Sequence, residues 1–359
     1  MASHRRSGVT RGKFKFSNKT LQISRRFQRD VRAHVKTPGE HKRSPAMHEI
    51  TITSGRNLPH IDPWLTIWGW EIPVYLFLGG LVSGILFISA VFYLRGRADR
   101  YPTIVRVGPL FAPVLLAVGL LALFLDLEYK LHVFRFYTAI RLESPMSWGS
   151  WTLAAIFPLS TLWALIHLKY VFPNWRWPWP IIEKLIDFFA GYSRAIAWLL
   201  IIYASLLGMY TGILLSAFNA RPFWNTAILG PLFLVSGLST GVAMIMLLSR
   251  DEAERHLLAH IDIFAIAVEL FLIIHLFMGF LASTQIHIEA AKLFLGGPYT
   301  TEFWVFVVGL GLVLPGLMEL LEVRGKILPT RIPAILVLAG GLLLRFIVLE
   351  AGQFSQWTF

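Results

Sequence analysis

The sequence predicts an all-α, polytopic membrane protein of about eight transmembrane helices, and three observations carry that reading. Of the 359 residues, 55% are hydrophobic and only 15% are charged. The apolar residues gather in runs of about twenty, the length a helix needs to cross a hydrocarbon layer of about 30 Å. Charged and proline-containing loops separate the runs, a pattern that suits backbone satisfied inside each segment and that no soluble core of this size requires.

The runs occupy roughly residues 65–94, 105–126, 147–169, 194–218, 226–249, 259–282, 302–322 and 332–350. In the first, Glu71 and Tyr75 stand four apart and share a face, while Gly79, Gly80 and Gly84 give a smooth surface for close packing. The second run ends at Asp126, and the third opens on Ser144-Pro145-Met146-Ser147-Trp148-Gly149. Between the third and fourth, the stretch from Asn174 to Pro180 holds three tryptophans and two prolines. It cannot be helical throughout, and its indoles suit the headgroup layer. Residues 182–193 then read as an amphipathic interfacial turn or short helix. The fourth run ends on Tyr210-Thr211-Gly212, and the link to the fifth carries Asn219, Arg221, Pro222, Trp224 and Asn225. Glu269 and His275 fall in the sixth run, and Gln285 and His287 follow it. The seventh holds Pro315-Gly316, Glu319 and Glu322, and the eighth holds Arg345 and Glu350, with Gln353 after it.

Charge divides the sequence in two. The net charge is +12, but residues 1–46 carry 13 basic and two acidic side chains, leaving the remainder at +1. A nucleic-acid or membrane-surface role therefore attaches only to this basic tail, read as disordered, and the membrane domain is expected over residues 47–359. Met47 offers a second start just before the first run. No cleavable signal peptide is apparent. Eight spans place both termini on one side, here called side A, with five basic loop residues against thirteen on side B. The positive-inside rule makes side A periplasmic, and the basic tail argues the other way. With no cysteine, the protein has no disulfide, no Cys-ligated iron–sulfur cluster and no thiolate nucleophile.

The segments rich in Trp, Pro, Gly and polar groups converge on side A. A shallow aromatic pocket there, with Tyr, Asp, Glu and Arg at hand, suits a lipid-soluble ligand with a polar head, such as a quinone. The competing reading is a set of helix-end groups of the kind found at every membrane interface. Charges deeper in the bilayer cost roughly 2.5–3.5 kcal/mol each on insertion scales. Glu269, Glu319, Glu322, Arg345 and Glu350 therefore read either as a proton relay or as satisfied interhelical pairs. His167, His260 and His275 offer no two histidines at matching depth for haem, and no metal site is expected.

The ordered motifs Trp68-x-Trp70-Glu71-x-Pro73-x-Tyr75-x-Phe77-x-Gly79-Gly80, Ser144 to Gly149, Tyr210-Thr211-Gly212, Arg221-Pro222-x-Trp224-Asn225 and Gly352-Gln353 resemble the NrfD/PsrC family of membrane subunits. The resemblance implies an eight-helix core of two four-helix bundles without haem, in the cytoplasmic membrane. It implies exchange of electrons between menaquinone or ubiquinone and a ferredoxin-like iron–sulfur subunit, itself wired to a molybdopterin-type catalytic subunit. The polysulfide-reductase pattern places quinone contacts at Tyr210, Tyr75 and Ile72, where the family's His and Asn are replaced at the last two positions. On this reading Glu71, Asp126 and Tyr210 are the acid–base groups, and Trp70, Tyr75, Ser147, Trp148, Tyr210, Arg221 and Trp224 contact the quinone. The alternatives are a secondary transporter or proton channel, with Pro315-Gly316 as its broken helix, and a passive anchor without a quinone site.

Overall fold

In a computed structural model, described over residues 68–138, 141, 143–174, 180–325 and 331–355, the apolar runs become helices. Among the described residues eight are long and apolar enough to cross a membrane. They are α1 Glu71–Leu94, α2 Thr103–Asp126, α3 Pro145–Val171, α4 Ser193–Ser216, α5 Leu229–Leu248, α6 Glu252–Leu281, α7 Glu302–Val323 and α8 Ile332–Phe354. The basic tail, Met47 and residues 175–179 of the Trp/Pro stretch lie outside the described residues. Residues 180–190 form a short helix before α4, where the sequence predicts an interfacial element.

Contacts between neighbours close two rings. α1 packs on α2 and α4, and α3 closes the ring against both; α5, α6, α7 and α8 form the second ring in the same way. The seam between the rings runs along α1, α4, α5 and α8. Lipid tails offer helices no hydrophobic reason to associate, so the seam depends on close van der Waals approach. Gly80 and Gly84 of α1 meet Gly237 and Gly241 of α5, two small-xxx-small pairs face to face. A methyl at Gly84 would clash with the Gly237 carbonyl oxygen.

Prolines decide the local irregularities. The first turn of α2, Thr103–Val107, is π-helical, because Pro109 has no N–H to return to the Val105 carbonyl. The freed carbonyl accepts a hydrogen bond from Ser89 Oγ at 3.2 Å, and Ser89 in turn accepts from Trp163 Nε1 at 3.0 Å. α7 repeats the theme: Glu302–Val313 is π-helical ahead of Pro315, and Gly311 lies directly on Gly340 of α8.

α6 begins at Glu252, two turns before the apolar run. Asp251 caps it by accepting from the Ala253 amide at 3.2 Å. Its first turns are charged, so hydropathy alone misses them. They matter because Glu254, fully buried, accepts from the Ile104 amide at 2.9 Å and the Ser249 hydroxyl at 2.7 Å. That carboxylate satisfies an orphan donor at the start of α2 and ties α2 to α6.

Candidate functional site

The side-A end of the first ring encloses a cavity of about 330 Å³. Its walls are mostly aliphatic and aromatic, with Ile72, Leu120, Leu123, Phe124, Leu153 and Leu214 among them. Against these stand three phenols, Tyr75, Tyr137 and Tyr210, and one carboxyl, Asp126. Tyr75 is 2% exposed and Tyr210 9%. Above it lies a vestibule of about 450 Å³ that shares Leu127, Phe136, Met146 and Ser150 with the cavity. The vestibule adds Glu128, His132, Arg135, Arg141, Ser144 and Ser147, so charged and hydroxyl side chains stand beside an otherwise apolar opening.

Gly149, on the first turns of α3, makes room for one phenol. A methyl at that position would sit on the ring of Tyr210. The residues between Leu127 and Thr138 fold back over the cavity and bring Val133, Phe136 and Tyr137 into its wall. The sequence reading misses Tyr137, since a short loop with no periodicity gives no sign of where it folds.

The predicted site residues divide by position. Tyr75, Tyr210 and Asp126 line the cavity, and Ser147 lines the vestibule, where its Oγ accepts from the Arg141 amide at 3.2 Å. Glu71 opens α1 close enough to Asp126 for the two charges to interact, but it is not in the wall. Trp70 and Trp148 turn outward, 57% and 56% exposed, and neither lines the cavity.

Arg221 and Trp224 lie elsewhere, in a lock between the α4–α5 link and the end of α8. Arg221 Nη1 donates to the carbonyls of Gln353 at 2.7 Å and Ser355 at 3.2 Å, a cation on the negative end of a helix. Trp224 Nε1 donates to the Val348 carbonyl at 2.9 Å. Its indole occupies the space a side chain at Gly352 would need. Gln353 completes the lock by exchanging two hydrogen bonds with the backbone of Trp68, at 2.9 and 3.1 Å. Trp68 stacks near Trp224 and Phe218, with centroids 5.4 and 5.2 Å away, and its other side reaches the cavity wall.

Comparison with known proteins identifies the family. The family described as "Polysulphide reductase, NrfD" matches residues 61–355. The protein belongs to the NrfD family. It is 33% identical over 301 residues to the C subunit of polysulfide reductase from Wolinella succinogenes, covering 80% of this sequence and 94% of that one. It is 31% identical over 314 residues to protein NrfD of Escherichia coli, with 80% and 96% covered. A homologue of NrfD in Haemophilus influenzae is 27% identical over 306 residues. Family membership and eight apolar helices together identify a multi-pass membrane subunit of the oxidoreductase-complex type.

The second ring of this NrfD-family protein buries a separate polar set. Asp262 accepts from Ser239 Oγ at 2.6 Å, and Arg345 donates to Ser236 Oγ at 2.5 Å and the Phe233 carbonyl at 3.1 Å. Arg345 also lies over the Phe233 ring, 4.6 Å from its centroid. Glu269 faces Ser236 and Arg345, and Glu319 faces Asp262. Among the described residues, Asp262 Oδ2, both oxygens of Glu319 and one of Glu322 are buried without a hydrogen-bond partner. Glu269, Glu319, Glu322 and Arg345 are candidates from the sequence. Asp262 is not among them, although an acid between Ile261 and Ile263 in an apolar run is the kind of signal that finds such groups.

Proposed function

We propose that this protein is the quinone-reactive subunit of a multisubunit oxidoreductase, with menaquinone or ubiquinone binding in the side-A cavity. The observation that carries the reading is the cavity's composition: three phenols and one carboxyl set in apolar walls, at the membrane face. A quinone supplies two-electron, two-proton chemistry, and its carbonyl or hydroxyl oxygens need hydrogen bonds when bound. On this reading Tyr210 and Tyr75, which line the cavity, donate to those oxygens, and Asp126 accepts or returns a proton. Glu71, next to Asp126 and half-buried at the start of α1, passes that proton toward the surface. The apolar walls exclude water and take the first units of an isoprenoid tail.

With no cysteine to hold an iron–sulfur cluster of its own, the protein exchanges the quinone's electrons with a partner on this reading. A ferredoxin-like iron–sulfur subunit docked over the vestibule, wired to a molybdopterin-type subunit, fits the family and the charged side chains Glu128, Arg135 and Arg141 at the vestibule. The loop charges favour side A as the periplasmic face of the cytoplasmic membrane.

In the intact complex, Tyr210→Phe is expected to lower quinone-linked turnover about a hundredfold, the usual worth of a positioned proton donor. Assembly and activity with an artificial dye should be unchanged. Normal quinol kinetics in that variant would remove Tyr210 from the site.

The acids of the second ring support proton transfer across part of the membrane. Two facing carboxyl groups are both acceptors until one carries a proton, so Asp262 and Glu319 form a place to hold one. From side B the order runs Glu322, Glu319, Asp262 and then, nearer mid-membrane, Glu269 and Arg345. Glu319→Gln is expected to lower the number of protons moved per electron in proteoliposomes while dye-linked turnover persists. An unchanged proton-to-electron ratio would leave these groups as structural pairs.

A further inference from the structure

A third cavity, of about 590 Å³, opens at the opposite membrane face. It lies between the turn that follows α1 and the turn that precedes α4. Its charged lining is Arg95, Arg194 and Asp99. Asp99 is already engaged, in an ion pair with Arg106 at 2.5 Å. Among the described residues neither Arg95 nor Arg194 has an acidic partner within ion-pair distance, so both guanidinium groups are available to an anion. Arg95 is the first residue after α1 and Arg194 the second residue of α4, which sets both at the level of the lipid headgroups.

The neighbouring helix, Pro180–Ala190, has the two-faced pattern of an interfacial helix. Ile182, Ile186 and Phe189 pack inward on the core, while Ile181, Leu185 and Phe188 are 75%, 57% and 59% exposed. Asp187 on its polar edge pairs with Lys169 of α3 at 2.7 Å. A strip that is apolar on the inside and on one outer face, with a charged edge between, lies in the plane of the interface. Its C-terminal end, Ala190, is part of the cavity wall. The cavity therefore faces headgroups, with an apolar shelf beside it to take acyl chains.

We propose that this cavity binds the phosphate of an anionic phospholipid headgroup through Arg95 and Arg194. Guanidinium suits the role because its planar fork matches phosphate oxygens, and it is more weakly hydrated than an ammonium. The site is separate from the quinone cavity, so its test does not depend on the quinone reading.

The test is titration of the delipidated full-length protein in detergent with phosphatidylglycerol, phosphatidylcholine or inorganic phosphate, followed by native mass spectrometry. The wild type is expected to retain phosphatidylglycerol in preference to phosphatidylcholine. The R95Q/R194Q variant should hold it about 30-fold more weakly, taking each basic residue at its typical worth near an anionic surface. R97Q/R100Q, which removes the same charge from the same turn outside the lining, should bind as the wild type does. Equal retention of the two lipids, equal loss in both double variants, or full competition by inorganic phosphate as an adventitious ion only would each overturn the proposal. If R95Q/R194Q does not accumulate, R95K/R194K keeps the charge and loses the fork. Phosphatidylglycerol affinity should then fall severalfold, and unchanged affinity would overturn the assignment equally.

Discussion

Gly149→Val is expected to abolish quinone-linked turnover, by about a hundredfold or more, in a complex that still assembles and still reduces or oxidises a dye. Gly149 touches nothing chemical itself. Its place on α3 is filled by the Tyr210 ring, which a branched side chain would push out of the cavity. Displacing a catalytic group by about an ångström is enough for losses of this order. The check is a double variant. If Gly149→Val acts by moving the phenol, adding Tyr210→Phe should cost nothing more, since two changes that remove one interaction are not additive. Multiplying losses would show that Gly149 acts through something other than Tyr210.

Trp224→Ala is expected to lower the stability of the membrane domain by about 3–5 kcal/mol, the usual cost of emptying an aromatic from a packed interior. Trp224 is 3% exposed, and its loss would also leave the Val348 carbonyl without the indole donor. Trp148→Ala, at a side chain 56% exposed, should stay within about 0.5 kcal/mol. Thermal melting of the purified complex separates the two. The contrast matters because the sequence offers both tryptophans as quinone contacts. Equal, small shifts for both would mean that the lock between Trp224 and α8 does not hold the rings together.

Much of the fold is legible because each transmembrane helix must satisfy its own backbone, so its signal is local. Length and apolarity place all eight spans to within a turn or two, and Gly80 and Gly84 announce a close-packed face. The misses have physical causes. α6 starts early because a capped, charged turn carries no hydropathy. Thr103–Val107 is π-helical because Pro109 withdraws one donor, which a reading of apolar runs does not register.

The site is legible only in part. Asp126, Tyr75 and Tyr210 are nameable as polar groups at helix ends on one face, and the family resemblance singles out Tyr75 and Tyr210. The motif Arg221-Pro222-x-Trp224-Asn225 looks like site chemistry for the same reason. Arg and Trp at a membrane face serve equally well to hold a ligand or to cap a neighbouring helix, and the residue types alone do not distinguish the two.

The sequence by itself determined a membrane protein of eight helices, the side on which its polar motifs gather, and the family they belong to. These follow from composition and order along the chain, which the bilayer turns directly into helix length and sidedness. Only the tertiary structure decided which of those residues share a wall. It brought Tyr137 over the cavity on the short helix Arg135–Thr138, set Tyr210 into the gap at Gly149, and turned Arg221 and Trp224 to the end of α8. It also placed Asp262 against Glu319. Such neighbours are fixed by rotation of each helix about its axis and by close glycine contacts between helices distant in sequence, and neither is written in the local pattern of any one segment.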